Sequence, residues 1–252
     1  MKSPLKSNID YKSTAALKKM IAPESTVSSF FLYAAHLELA LSNAGHTIVA
    51  HTNKKAVYEF WATALQNPSL VAYTAKNVFP TLLPAQLTLL QETWTNFKYP
   101  EDRAAMFFIL NRCSESGWVS SGRIDRHNFN AVSLSHLNTF HADRFFPFFD
   151  DTEDPLEGLA SATATDYILL PMGQFGLNLF EYGKNKGPEM AHVNHRQVAR
   201  QLKEIERRWI VIYKSHPALF TTYGHHNITM IDAYGRPTNE KARCEELIIA
   251  NF

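Results

Sequence analysis

The stretch Tyr167-Ile168-Leu169-Leu170-Pro171-Met172-Gly173 constrains the fold more than any other part of the chain. An apolar run that stops at a proline and a glycine predicts a buried strand ending at the carboxyl edge of a sheet. Open α/β sheets keep their ligands at that edge. Asp166 precedes the run, and from Tyr167 to Gly173 there is no acid, base or nucleophile. The stretch is placed like a site and lacks a site's usual chemistry.

The flanking pattern extends this to a whole α/β chain. Ser13 to Ile21 predicts a short helix with Leu17, Met20 and Ile21 on one face, stopped by Ala22-Pro23. A strand is expected around Thr26 to Leu32, a helix from Ala34 to Ser42 closed by Gly45, and a second strand from His46 to His51. Strand, helix, strand in this order is a βαβ unit and implies a parallel sheet. Lys54 to Gln66 reads as a helix, because Val57, Phe60, Trp61, Ala64 and Leu65 fall on one face and Asn67-Pro68 ends it. Then the rhythm changes. Pro84 to Phe97 and Glu101 to Asn111 read as helices with no strand between them, which predicts a helical insertion.

Ser114 to Arg123, rich in small residues and glycine, reads as a loop or hairpin. Phe145 to Gly158, carrying Asp150, Asp151, Glu153, Asp154 and Glu157, reads as a solvated surface loop. Glu189 to Arg208 predicts a long amphipathic helix, with strands at Trp209 to Tyr213 and Glu246 to Phe252. The expected organisation is an α/β domain over residues 1–66 and 159–252, with a mostly parallel sheet and helices on both faces. A helical or hairpin insertion occupies residues 67–158.

At 252 residues and 45% hydrophobic, the chain buries a full core. Its formal charge of +1 supplies no global field toward nucleic acid or an anionic membrane, so any DNA contact must be a local patch. Cys113 and Cys244 stand far apart and form no disulfide framework, which suits a reducing compartment. Met1 to Lys6 lacks the apolar core of a signal peptide, and no run approaches the roughly eighteen apolar residues of a membrane span. The expectation is a cytoplasmic protein with no membrane partner.

His192 and His195 stand three apart on a predicted helix, and His216, His225 and His226 lie close in sequence. No carboxylate or thiol stands at supporting ligand spacing, so no metal is expected. A nucleophile elbow of the G-x-S-x-G type is also missing. Arg112, Arg123, Arg126, His127 and Asn128, with Trp118 and Phe129 interleaved, form either a DNA-contacting loop or an ordinary loop whose arginines pair with the acidic run near Asp150.

In order along the chain, these stretches resemble the Dam-like DNA adenine methylase family, which methylates the exocyclic amine of adenine with S-adenosylmethionine. Pro4-Leu5-Lys6 and Lys12-Ser13 are similar to the family's opening P-L-(R/K)-Y-P-G-G-K-S, without the glycines. Ser29 to Leu39 aligns with the cofactor motif D-P-F-x-G-G-G-S-L-E-L, and Ile48 to Asn53 with V-x-Y-D-x-N. Phe107 to Arg112 followed by Ser116-Gly117 resembles the F-x-L-N-R segment that opens the DNA-recognition region. Leu170-Pro171-Met172-Gly173 stands where the family carries D-P-P-Y. Ile210 to His216 resembles the strand ending in S-N, and Arg243 with Glu246 to Phe252 the closing R…E-L-L-I-T-N-Y.

The resemblance implies a Rossmann-like methyltransferase fold with a degenerate site. In such enzymes the adenine is flipped into a pocket, where the motif's Asp and a backbone carbonyl accept from its amine and the Tyr stacks on its ring. Leu170 offers no acceptor and Gly173 no ring, so only the Pro171 carbonyl remains. A charge-assisted hydrogen bond contributes about 1.5–3 kcal/mol and base stacking about 1–3 kcal/mol. Losing both costs several powers of ten in rate. The cofactor motif keeps Phe31, but Tyr33, Ala34 and Ala35 replace the glycines its loop needs, and His51 replaces the carboxylate that holds the ribose.

The reading is therefore a pseudoenzyme with no cofactor, used as a protein partner or assembly subunit. A viral or phage structural component, located in the virion, or the silent partner of an active methylase would both fit. One alternative is a non-catalytic duplex-DNA binder using Asn111, Arg112, Arg123 and Arg126. Another is a divergent active adenine methyltransferase using S-adenosylmethionine, whose nearest carboxylate, Asp166, stands about 13 Å upstream along the strand.

Overall fold

The computed structural model describes residues 2–7, 9–120, 122–154, 156–161, 165–175 and 193–252. In chain order the elements are α1 (Thr14–Met20), β1 (Thr26–Ser29), α2 (His36–Ser42), β2 (Thr47–Thr52) and α3 (Lys55–Gln66). The helices α4 (Pro68–Val78), α5 (Pro84–Thr93), α6 (Pro100–Cys113) and α7 (Ala131–Asn138) follow. The chain then returns to the sheet with β3 (Phe145–Phe149), α8 (Gly158–Ser161), β4 (Tyr167–Gly173), α9 (His195–Lys203) and β5 (Arg208–Lys214). It closes with α10 (Pro217–Thr222), β6 (Asn227–Asp232), β7 (Pro237–Thr238) and β8 (Cys244–Ala250).

Among the described residues the strands form one eight-stranded sheet in the order β3-β2-β1-β4-β5-β8-β6-β7. β1 through β5 are mutually parallel, and β8 enters antiparallel between β5 and β6. The reversal of strand order between β1 and β4 is the switch point of a doubly wound sheet. With the antiparallel β8 beside β5, this is the mostly parallel α/β sheet that the sequence pattern predicts and the Rossmann-like methyltransferase fold that the resemblance implies.

Several elements differ from the sequence expectation, among them α7, α10 and β7, which the pattern did not announce, and three that bear on the sheet and the insertion. Phe145–Phe149 is an edge strand paired with β2, not part of a loop, so the sheet takes back residues assigned to the 67–158 insertion. Pro147 hides this strand from a propensity reading, since proline is tolerated in strands chiefly at edges. Asn67-Pro68 both ends α3 and starts α4: the Asn67 side chain accepts from Leu70 N at 3.0 Å, and Pro68 takes a first-turn position that needs no N–H. The third is the strand β6, in a stretch where the pattern predicted no element. The expected helix from Glu189 is described only from His195; Glu189 to His192, with Met190, lie outside the described residues.

One continuous apolar core joins the sheet to the insertion. α6 runs through its middle, buried at every position from Ala104 to Leu110. Phe60 and Phe107 stack at 5.1 Å, and Trp61 meets Phe145 edge-on at 5.2 Å.

Candidate functional site

At the carboxyl edge of β1 the chain turns through Phe30 to Ala35 into α2. Phe30 N–H bonds Leu169 O at 3.0 Å and Leu32 N–H bonds His51 O at 2.9 Å, so the turn is pinned between β4 and β2. Phe31 (φ 64) and Ala35 (φ 53) are left-handed. The backbone thus adopts at Ala35 the kind of conformation that a glycine in the cofactor motif would adopt freely. For an L side chain it costs roughly 1–2 kcal/mol. Ala35→Gly is therefore expected to stabilise the fold, by about 1 kcal/mol before the entropy of the added glycine is subtracted. A rise in thermal midpoint would register it; a fall would mean that the Ala35 methyl contributes more by packing than the strain costs.

Every side chain of this turn is buried. Tyr33 leans on Trp118 at 4.6 Å, and its hydroxyl donates to Gly117 O at 2.6 Å. Its own carbonyl accepts from Trp61 Nε1 at 2.6 Å. Among the described residues, the space beside this turn is a cavity of about 30 Å³, lined by residues including Tyr11, Phe31, Tyr33, Glu38 and Pro171. Such a space holds one or two waters, against the roughly 300–1,000 Å³ of a small-molecule pocket. A nucleoside-sized cofactor does not fit these residues as they stand.

Leu170, Pro171 and Met172 are buried within β4, and Gly173 sits at a bulge with φ +64. The Pro171 carbonyl accepts from the Tyr11 hydroxyl at 2.9 Å. Burial raises the Tyr11 pKa well above its ordinary value, with Glu38 and Glu246 adding to the effect, so the donor stays protonated. Glu38 is buried in the first turn of α2 and accepts from Ser29 Oγ at 2.9 Å. Burial also raises its pKa, although bonds from its own backbone and from Ser29 oppose this.

A carboxyl group whose folded pKa is raised favours folding below its unfolded pKa, and this contribution is lost as pH rises through the folded pKa. Glu38→Gln is therefore expected to stabilise the protein at pH 7, with the advantage shrinking as pH falls toward 4.5, the ordinary glutamate value. Urea midpoints across that range measure it; a constant difference would show that charge is not the cause.

His51, at the end of β2, stacks on Phe30 at 4.4 Å and turns Nδ1 to Asp150 at 3.2 Å. Among the described residues the acidic run thus supplies a partner to His51 and pairs with none of the arginines of the recognition-like loop, unlike the alternative in which those arginines meet it. Arg123 is exposed beside Glu115 at 3.5 Å, and Arg126 lies over the Phe79 ring at 5.0 Å. Arg112 is half-buried. Asn111 is fully buried: its Oδ1 accepts from Lys6 N at 2.7 Å and its Nδ2 donates to Lys6 O at 2.9 Å and Gly117 O at 2.6 Å. Trp118 and Phe129 also belong to the core. Asn111 is therefore a structural tie, and the aromatics expected to interleave with the arginines are not on the surface.

Sequence reasoning missed Tyr11 and Glu246. Glu246 is buried in β8, where Oε2 accepts from Ser13 N at 2.8 Å and Oε1 pairs with Lys214 at 2.6 Å. Lys214 Nζ also donates to Asp10 O at 3.0 Å. Together with Lys6 on α6, these contacts draw an amino-terminal strap across the carboxyl edge. The histidines are dispersed: His195 meets the Tyr213 hydroxyl at 3.0 Å, His216 Nδ1 accepts from Ala218 N at 3.2 Å, and His226 packs on Trp209. Among the described residues no group of three or more His, Cys, Asp or Glu is placed to hold a metal. Nor is any helix among them long and apolar enough to cross a membrane.

No family model and no curated protein matches the chain. Among solved structures it is similar to two of the rRNA methyltransferase aviRa from Streptomyces viridochromogenes, each 14% identical. These comparisons cover 91% of this chain and 76% and 77% of the other, with TM-scores of 0.35 and 0.34. The fold assignment rests on the strand order and not on this loose likeness.

Proposed function

We propose that this chain is a non-catalytic relative of the Dam-like DNA adenine methylases, working through its surfaces as an interaction or assembly subunit. The observation that carries the reading is the filled turn after β1, where about 30 Å³ remains at the position the resemblance gives to the cofactor. Three further features support it. Leu170 brings no acceptor to the edge of β4, the Pro171 carbonyl is engaged by Tyr11, and His51 is engaged by Asp150. Leu170 is apolar, the Pro171 carbonyl and the Nδ1 of His51 are committed to partners in the same chain, and among the described residues His51 Nε2 alone of these groups is buried without one.

Calorimetric titration with S-adenosylmethionine and its demethylated product tests this. No heat at millimolar ligand is the expected result. Micromolar binding overturns the reading and makes adenine methylation the next assay. The DNA-binding alternative rests chiefly on the exposed Arg123; it requires a salt-dependent affinity for duplex that Arg123→Ala weakens.

A further inference from the structure

We propose that the open sheet face at the β2–β3 edge docks a basic amphipathic segment of another protein. β3 has two faces. Phe145 and Phe149 turn to α3, where they meet Trp61 at 5.2 Å and Tyr58 at 5.7 Å. Phe146 and Phe148, which alternate with them and so share the opposite face, are each 50% exposed. The half-buried Val49 of β2 lies beside Phe146 in register and continues this surface. The crossover from β3 back to β4 would ordinarily lay a helix over such a face. Among its described residues it carries only α8, four residues long, or about 6 Å of helix.

The occupant is a packed segment and not an added strand. Ile48 N–H bonds Arg144 O at 2.8 Å and Asp150 N–H bonds Thr52 O at 2.9 Å. The alternation of a parallel ladder then points Phe146 and Phe148 backbone groups at β2 and turns Pro147 to the free edge. A proline there has no N–H to offer an incoming strand. The aromatic face remains open to side-chain packing.

Charge sets the chemistry of the partner. From Asp143 to Glu157 the sequence holds six acidic residues and one basic residue, Arg144, whose guanidinium is bonded to Gly45 O. Asp150 is taken by His51 and Asp154 by Gln197. Asp151 and Glu153, which follow β3 directly, are exposed, and among the described residues neither forms an ion pair. Two exposed phenylalanines followed at the end of the strand by two uncompensated carboxylates fit a segment with apolar residues on one side and lysine or arginine on the other, and repel nucleic acid.

The proposal deepens the reading of the chain as an interaction subunit and fails separately from it. Cofactor binding would overturn that reading without changing the outcome here. The test titrates the full chain into a labelled synthetic helical peptide with leucine on one face and lysine on the other. A control peptide carries glutamate in place of lysine. Micromolar binding of the lysine peptide is expected, weakening about tenfold or more as salt is raised, with none for the glutamate peptide. Phe146→Ser/Phe148→Ser should weaken binding at least about tenfold while the thermal midpoint holds, because both rings are already half in water. Asp151→Asn/Glu153→Gln should flatten the salt dependence. Absence of binding, or binding unchanged by both sets of variants, overturns the proposal. So does a concentration-dependent dimer abolished by Phe148→Ser, which would give the face to a second copy of this chain.

Discussion

Glu246→Ala is expected to lower unfolding free energy by about 3 kcal/mol, the lower end of the cost of breaking a buried ion pair. The carboxylate is 1% exposed and accepts from both Ser13 N–H and the Lys214 ammonium. Removing it leaves one buried donor without an acceptor and a cation beside an apolar edge. The cost stays at the low end because the Lys214 side chain is 32% exposed and can turn toward water. Glu246→Gln keeps an acceptor for Ser13 and loses only the charge, so it should cost roughly half as much. Urea unfolding measures both, read as a midpoint shift at constant slope.

The same substitution has a local signature. Ser13 loses its tether to the sheet, and Asp10 keeps only its bond from a Lys214 that no longer has Glu246 to hold it, so trypsin should cut after Lys12 faster than in the parent chain under native conditions. Equal cutting rates would mean that Tyr11 on Pro171 and Lys6 on Asn111 hold the strap without Glu246.

The reach of these contacts explains what the sequence could and could not reveal. Apolar runs place β4, β5 and β8, because a strand buried on both faces writes its own signal, and α3 announces itself by its apolar face. β3 stays hidden because its proline argues against a strand until the edge position is known. That Leu170 carries no carboxylate and Tyr33 is no glycine is legible residue by residue, since the absence of a side chain's chemistry needs no neighbour to be noticed.

What fills the gap is not legible. Tyr11 meets Pro171 across 160 positions, Ser13 meets Glu246 across 233, and His51 meets Asp150 across 99. Each pairing depends on the strand order, which brings β2 beside β3 and β8 beside β5. The burial of Asn111 is of the same kind: its side-chain amide matches the backbone of Lys6, a partner 105 positions away.

Tyr33→Ala should cost about 4 kcal/mol, as for other buried aromatics cut to alanine, and should still not restore cofactor binding. The ring leaves its contacts with Trp118 and with Phe107 at 6.1 Å, and the space it vacates joins the small cavity beside Pro171. The hydrogen bonding around it survives in part, because Asn111 Nδ2 continues to donate to Gly117 O. A loss of this size is a large share of the roughly 5–15 kcal/mol that holds a domain folded, so circular dichroism must first establish that the variant is native at the titration temperature.

Space alone does not make a site. Phe31 still lines the cavity, Tyr11 still occupies the Pro171 carbonyl, and His51 still faces Asp150 where a ribose would need a free carboxylate. Calorimetry of the folded variant with S-adenosylmethionine should therefore remain silent at millimolar ligand. Micromolar binding would instead mean that one ring closes a pocket otherwise able to hold the cofactor, and that the chain is an occluded enzyme whose displaced Tyr33 opens it.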